Sequence, residues 1–95
     1  PKVYKIVLYN GTEIVGLTNS VQQDLASKTK EFSDLDRDNA SKTDYTKTLV
    51  IDLSGNQKSA TEALAGLVNG QVASLPEGET KPIGADFLVI LGSEN

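Results

Sequence analysis

The sequence predicts an α/β domain of two layers, in which two helices pack on a mixed sheet of about five strands. Two apolar runs, "VYKIVLY" at residues 3–9 and "DFLVILG" at residues 86–92, have the composition of buried strands. Two segments between them carry apolar residues at helical spacing. The 95 residues, 38% of them hydrophobic, are enough for one core. We therefore expect a single domain spanning residues 1–95, with the order β-α-β-β-α-β-β.

The first half of the chain is expected to supply a strand, a helix and an edge strand. Residues 3–9 are apolar at both parities, which is typical of a strand inside a sheet. From Leu17, apolar residues recur at Val21 and Leu25, and this spacing predicts the first helix. Residues 31–45 form the most polar stretch and indicate an edge strand followed by a turn.

The second half is expected to begin with a strand at residues 47–53 and a helix within residues 54–70. Ser59 and Glu62 fit a capping box, with Asn56 as an alternative cap one turn earlier. The pair Asn69-Gly70 predicts the helix end, because glycine tolerates the left-handed conformation there. The buried side of this helix is expected to carry five residues: Ala60, Ala63, Leu64, Leu67 and Val68.

The last two strands are expected at residues 71–76 and 86–92. The first of them is short and ends at Pro76, which cannot donate a backbone hydrogen bond. The second is apolar throughout, so we predict that it lies in the middle of the sheet.

The composition excludes several classes of function. The chain has no cysteine and no histidine, so it offers neither thiolate nor imidazole for catalysis or metal binding. Its net charge is -4 and its nine basic residues are dispersed, whereas nucleic-acid binding draws its affinity from clustered lysine and arginine. No apolar stretch approaches the roughly 20 residues of a membrane span. We expect no cofactor, no nucleic-acid partner and no direct membrane insertion by this domain.

The loop after the first strand comes close to a phosphate-binding motif. Residues 11–18, "GTEIVGLT", match G-x-x-x-x-G-K-[ST] except that Leu17 replaces the lysine. Without that lysine the motif cannot reach the terminal phosphates of a nucleotide. We therefore interpret Gly11 and Gly16 as structural residues that permit tight backbone turns.

Three alternating carboxylates, Asp34, Asp36 and Asp38, are weak candidates for a metal site. Asn39 and Tyr45 stand where a calcium loop of the EF-hand type needs glycine and glutamate. In an extended edge strand the three carboxylates would share one solvated face and discourage pairing with other strands. We expect no metal ion there.

The carboxylates inside the apolar strands do not indicate an enzyme. Asp52 and Asp86 are the only acids within such strands, and turn or strand-edge roles account for both. Nothing in the sequence marks one of them as the general acid that glycan cleavage requires. We predict no catalytic residues, so the domain itself is not expected to be an enzyme.

Five residues around the loops are candidates for binding a sugar. Tyr9 and Tyr45 could stack on a sugar ring, while Asn10, Thr12 and Asn39 could supply hydrogen bonds. The alternative is that both tyrosines are half-buried packing residues with hydroxyls in water.

Several motifs together resemble the C-terminal domain of LytR-type cell-envelope proteins. They are an apolar strand followed by N-G-T, then G-L-T, then N-A with a later tyrosine and threonine, and finally D-F-L-V-I-L-G. The matching residues are Asn10, Gly11, Thr12, Gly16, Leu17, Asn39, Ala40, Tyr45, Thr48, Asp86 and Gly92. The resemblance covers nearly the whole chain. Residues 31–37 depart from the pattern, since the family often has a glycine and an apolar strand there.

This resemblance implies an accessory module of the LytR-CpsA-Psr proteins, which attach glycopolymers to peptidoglycan. It implies an origin in a longer, membrane-anchored protein on the extracellular face of a Gram-positive bacterium. The partner would be cell-wall glycan or peptidoglycan. The alternative is a protein-docking or dimerisation module that positions an upstream glycopolymer transferase domain. The family's association with transcriptional attenuation is not taken as DNA binding, because the chain is acidic.

Overall fold

The computed structural model describes residues 3–94, apart from the side chains of Asp34 and Leu35. It has the predicted order of elements. These are β1 (Tyr4–Asn10), α1 (Leu17–Lys28), β2 (Phe32–Asn39), β3 (Leu49–Asp52), α2 (Lys58–Val68), β4 (Gln71–Val72) and β5 (Phe87–Leu91). Neither helix in this part of the chain has both the length and the apolar character that a membrane span requires.

The five strands form one mixed sheet in the order β2-β1-β5-β3-β4. Strand β1 runs parallel to both β2 and β5, and β3 runs antiparallel to β5 and parallel to β4. The predicted central position of β5 is therefore confirmed, and so is the edge position of β2. All five residues of β5 are buried.

Both helices pack on one side of the sheet, which we call the helix face. Helix α1 lies over β1 and β2, while α2 lies over β3 and β4. The core between them includes Ile6 and Leu8 of β1 together with Leu64 of α2, all fully buried. The rings of Tyr4, Phe32 and Phe87 contact one another here, with centroids 5.3–5.9 Å apart.

The opposite side of the sheet, the loop face, is covered by loops instead of helices. Val7 and Tyr9 of β1 are buried there with Ile90 of β5. Tyr45 and Leu75, from two separate loops, pack against them. A covered loop face explains why the first strand is apolar at both parities.

Helix α2 departs from the prediction in its buried side. Ala63 is exposed, whereas Thr61 and Ala65 are buried beside Leu64 and Val68. The Thr61 hydroxyl can be buried because it donates a 2.6 Å hydrogen bond to the carbonyl oxygen of Gln57. A buried threonine of this kind is invisible to a search for apolar spacing.

The ends of α2 also differ from the prediction. The capping box is wrong, because the helix begins at Lys58 with Gln57 as the N-cap and no side-chain cap. The Asp52 carboxylate orders the preceding loop by accepting hydrogen bonds from the backbone nitrogens of Ser54, Gly55 and Gln57 at 2.8–3.1 Å. The turn-forming role expected for Asp52 is thus the one observed.

At the end of α2, the left-handed residue is Asn69, at φ 56, and not the glycine after it. Gly70 is needed for another reason. A Cβ on Gly70 would lie 2.9 Å from the carbonyl oxygen of Thr48, so the glycine allows close approach to the start of β3.

Candidate functional site

A cleft of about 490 Å³ lies where the parallel strands β1 and β2 end and α1 begins. We call it the carboxyl-end pocket. Its lining consists of Asn10, residues 12–16, Thr18 and residues 37–39. In open α/β sheets, ligands bind in crevices outside the carboxyl ends of the strands. The structure therefore brings three of the five candidate residues, Asn10, Thr12 and Asn39, to one site.

The loop that forms one wall of the pocket is held by hydrogen bonds among its own residues. Oδ1 of Asn10 accepts from the backbone nitrogen of Thr12 at 3.0 Å and from its Oγ1 at 2.7 Å. Thr12 Oγ1 in turn accepts from the backbone nitrogen of Ile14 at 3.0 Å, and Asn10 Nδ2 donates to the Ile14 carbonyl oxygen at 2.9 Å. The N-G-T motif therefore shapes the wall.

The two glycines of this loop have different tasks. Gly16 takes the left-handed conformation at φ +80 as the residue before α1, which suits the turn that was predicted. Gly11 has no positive φ, but a Cβ there would lie 2.6 Å from Cδ2 of Tyr45 and 2.7 Å from the Leu91 carbonyl oxygen. The need for glycine at position 11 therefore comes from close packing.

The charges around the pocket do not favour an anion. Glu13 and Asp38 are acidic lining residues, and Arg37 is the basic one. The guanidinium of Arg37 donates to Oδ1 of Asn19 at 3.1 Å, which directs it toward α1. A phosphate-binding loop needs cationic side chains to meet the phosphate charge. This balance fits the prediction that the loop is not a nucleotide site.

Tyr9 and Tyr45 lie on the loop face and are not among the residues that line the carboxyl-end pocket. Tyr9 is only 8% exposed, and its hydroxyl donates to the Thr80 carbonyl oxygen at 2.7 Å. The Tyr45 hydroxyl donates to Oε2 of Glu79 at 2.6 Å. Both tyrosines therefore lie apart from the lining of the pocket that holds Asn10, Thr12 and Asn39, and their contact with a sugar stays a prediction.

A cluster around Glu79 holds these loops together, and sequence reasoning did not find it. The Glu79 carboxylate accepts from the backbone nitrogen of Ser41 at 2.9 Å, from Ser41 Oγ at 2.8 Å and from the Tyr45 hydroxyl. Glu79 is 38 residues from Ser41 in the chain, in a loop without periodicity. No local signal in the sequence could have paired them.

This cluster shifts the pKa of two groups. Burial disfavours the charged Glu79 carboxylate, but the hydrogen bonds from Tyr45 and Ser41 outweigh that effect and leave its pKa below the ordinary value. Burial, together with the bond to the Glu79 carboxylate, raises the pKa of Tyr45 to about 12. The pair is therefore held as a phenol donating to a carboxylate.

The acidic strand has an irregularity that was not predicted. The pairing register of β2 shifts between Ile6 and Val7, so Asp34 opposes Ile6 while Asp36 opposes Val7. The backbone alternation is therefore interrupted between Asp34 and Asp36, while Asp36 and Asp38 keep the alternation of Val7 and Tyr9. The expectation that all three carboxylates share one face stays a prediction. The side chain of Asp34 lies outside the described residues. Among the side chains that are described, no group of three or more acidic residues is placed to hold a metal ion.

Comparison with known families gives one match, over residues 4–94, to the family described as LytR cell envelope-related transcriptional attenuator. The chain belongs to this family. The match spans nearly the whole chain and makes it a LytR C-terminal domain, a cell-envelope-associated accessory domain. No curated protein and no solved structure matches the chain.

The motifs of this LytR C-terminal domain occupy two parts of the fold. Asn10, Thr12, Gly16 and Asn39 surround the carboxyl-end pocket. Gly92 directly follows β5, and a Cβ there would lie 2.5 Å from the backbone of Lys47. Some motif residues thus shape the pocket, and others allow loops to pack against the sheet.

Proposed function

We propose that this LytR C-terminal domain binds an uncharged cell-wall glycan, such as the peptidoglycan strand, in the carboxyl-end pocket. The observation that carries the proposal is an open cleft of about 490 Å³ lined by polar side chains at the carboxyl ends of parallel strands. In this role the domain carries out no chemistry. It would hold a membrane-anchored protein to the wall on the extracellular face of a Gram-positive bacterium.

The lining offers contacts both to the hydroxyl groups and to the apolar faces of a sugar ring. Thr18 and Asn39 supply a hydroxyl and an amide for sugar hydroxyl groups. Ile14 and Val15, at 49% and 98% exposure, offer apolar contact to the faces of the ring. The loop hydrogen bonds fix Ile14 in place before binding, which lowers the conformational entropy lost on association.

The charge of the lining supports a neutral ligand over a phosphate-rich one. Glu13 and Asp38 would repel phosphates, and the single arginine in the lining is already turned toward Asn19.

The docking function stays the second proposal. One observation favours it, namely an uncharged strand edge at β4, which lies apart from this pocket.

The proposal is tested by retention of the purified domain on peptidoglycan sacculi, with and without their attached glycopolymers. The Asn39→Ala, Thr18→Ala double variant removes two polar groups from the pocket. Gln23→Ala, an exposed amide on α1 outside the pocket, is the matched control. We expect the domain and the control to be retained on stripped sacculi and the double variant to be lost.

Two results would overturn the proposal. One is the absence of retention of the unaltered domain, which would exclude glycan binding and make docking the favoured function. The other is retention of a correctly folded double variant at the level of the control, which would move any glycan site elsewhere on the surface.

A further inference from the structure

The two edges of the sheet differ in chemistry. Strand β2 forms one edge and β4 the other. On β2, the backbone nitrogen of Ala40 donates to β1, so alternation turns the nitrogens of Arg37 and Asn39 outward. Each outward nitrogen donates instead to the carboxylate of the preceding residue, at 2.8 Å to Asp36 and 2.8 Å to Asp38. The donors on this part of the β2 edge are therefore already satisfied, and a further strand would meet negative charge.

The β4 edge has none of these protections. Gln71 and Ala73 donate their backbone N–H groups inward, to the carbonyl oxygens of Thr48 at 2.9 Å and Val50 at 3.0 Å. Alternation therefore turns the N–H and C=O of Val72 outward. The side chain of Val72 is 53% exposed, and residues 69–75 include no charged residue.

We propose that the β4 edge pairs with the β4 edge of a second copy of this chain. Symmetry argues for this occupant. About a twofold axis, two antiparallel strands exchange N–H···O bonds between identical residues, here the two Val72 residues. In that register Gln71 faces Ala73 of the other copy. The paired strands bring no like charges opposite each other, because residues 69–75 are uncharged.

The same operation fails on β2. A twofold axis at Arg37 would place Asp36 of one copy opposite Asp38 of the other. Like charges directly opposite each other destabilise a strand pair, and the aspartates already occupy the backbone donors. The β2 edge between Arg37 and Asn39 is therefore protected against such pairing, whereas the β4 edge is not. This inference does not depend on glycan binding, since the carboxyl-end pocket lies at the ends of β1 and β2.

The dimer is expected to be weak, because β4 is only two residues long. Sedimentation equilibrium of the full chain from micromolar to millimolar concentration measures it directly. Val72→Lys places two like charges across the axis and is expected to raise the dissociation constant about tenfold or more. Ile83→Lys introduces the same change at a site that is 96% exposed and outside both edges, and it is expected to leave dimerisation unchanged.

A second measurement covers the case in which the lysine variant does not fold. Backbone amide exchange of the unaltered chain at Val72 is expected to slow as protein concentration rises, while exchange at Arg37 and Asn39 stays constant. A chain that remains monomeric at millimolar concentration would overturn the proposal. So would a folded Val72→Lys variant that dimerises like the Ile83→Lys control, or Val72 exchange that does not depend on concentration.

Discussion

The hydroxyl of Tyr45 lies 2.6 Å from Oε2 of Glu79 and donates a hydrogen bond to that carboxylate. The two residues belong to different loops that cross the loop face of the sheet. Ser41 adds two further donors to the same carboxylate. The apolar side chains of Val7 and Ile90 lie beneath these loops. One carboxylate thus ties together two of the loops that cover the loop face.

Replacing Glu79 by glutamine is expected to destabilise the domain by about 1–2 kcal/mol, because hydrogen bonds to a charged acceptor are worth more than those to a neutral one. The measurement is the free energy of unfolding from urea titration at neutral pH. Glu77→Gln, an exposed position in the same loop, is the matched control and should change stability little. Equal effects of the two changes would contradict the role given to Glu79.

Stability is expected to fall at both extremes of pH. The pKa values of Glu79 and Asp52 are lowered on folding, so both groups stabilise the fold above their unfolded values of 4.5 and 3.8, and this contribution is lost as the pH falls through the folded pKa. The pKa of Tyr45 is raised to about 12, so its contribution is complete below the unfolded value of 10.0 and is lost as the pH rises towards 12.

Unfolding midpoints in urea across the pH range measure this profile. Tyr45→Phe is expected to flatten the alkaline limb, because the phenol that resists ionisation is gone. Glu79→Gln is expected to flatten the acid limb, because the carboxylate whose pKa is lowered on folding is gone. An alkaline limb that is unchanged in Tyr45→Phe would show that another group is responsible, and Tyr9, whose pKa burial also raises, would be the next to test.

Alanine at Gly11 is expected to cost about 2–3 kcal/mol, since its Cβ would meet Tyr45 and the Leu91 carbonyl oxygen at 2.6 and 2.7 Å. Gly66→Ala is the contrasting variant. It lies in the last turn of α2 with no atom within 4 Å of the added Cβ, so it should stabilise the helix by about 0.5 kcal/mol. Thermal melting of both variants decides the matter. A Gly11→Ala variant with an unchanged melting temperature would contradict the close packing of Gly11 against Tyr45 and Leu91.

Thr12→Val keeps the shape of the side chain but removes the hydroxyl. Thr12 is 6% exposed, so Oδ1 of Asn10 and the backbone nitrogen of Ile14 would lose a buried partner, at a cost of about 1–2 kcal/mol. Retention on sacculi should fall as well, since the wall of the pocket is loosened. Thr43→Val, at an exposed position in another loop, is the control. If the Thr12→Val variant is destabilised but is retained on sacculi normally, the hydrogen bonds of this loop do not contribute to binding.

Much of the fold could be predicted from the sequence because its signals are local. The uninterrupted apolar run of residues 87–91 predicted that β5 lies at the centre, and the polar residues 31–45 predicted that β2 lies at an edge. Helical spacing located both helices. Helical spacing failed on the buried side of α2, where it predicted Ala63. The buried residue there is Thr61, whose hydroxyl is bonded to the backbone, and a search for apolar residues does not select threonine.

The candidate site was predicted only in part, for a physical reason. Asn10 and Asn39 are the last residues of β1 and β2, and Thr12 comes just after β1. Parallel strands bring their carboxyl ends together, so these residues could be grouped in advance. The hydroxyls of Tyr9 and Tyr45 are held by Thr80 and Glu79, two partners far away in the sequence. The bulge in β2 likewise arises from pairing with β1 and has no mark in the sequence of aspartates.

The central strand of the sheet is also its last, and this has a consequence for synthesis. Strand β5 joins β1 to β3, with Ile6 opposite Phe87 and Val50 opposite Val89. A nascent chain that lacks residues 87–91 can pair β1 with β2, and β3 with β4, but it cannot join the two halves. Such a chain exposes the apolar faces of both, so the domain is expected to fold only once residues 87–91 can insert between the two halves, and to need protection from aggregation until then.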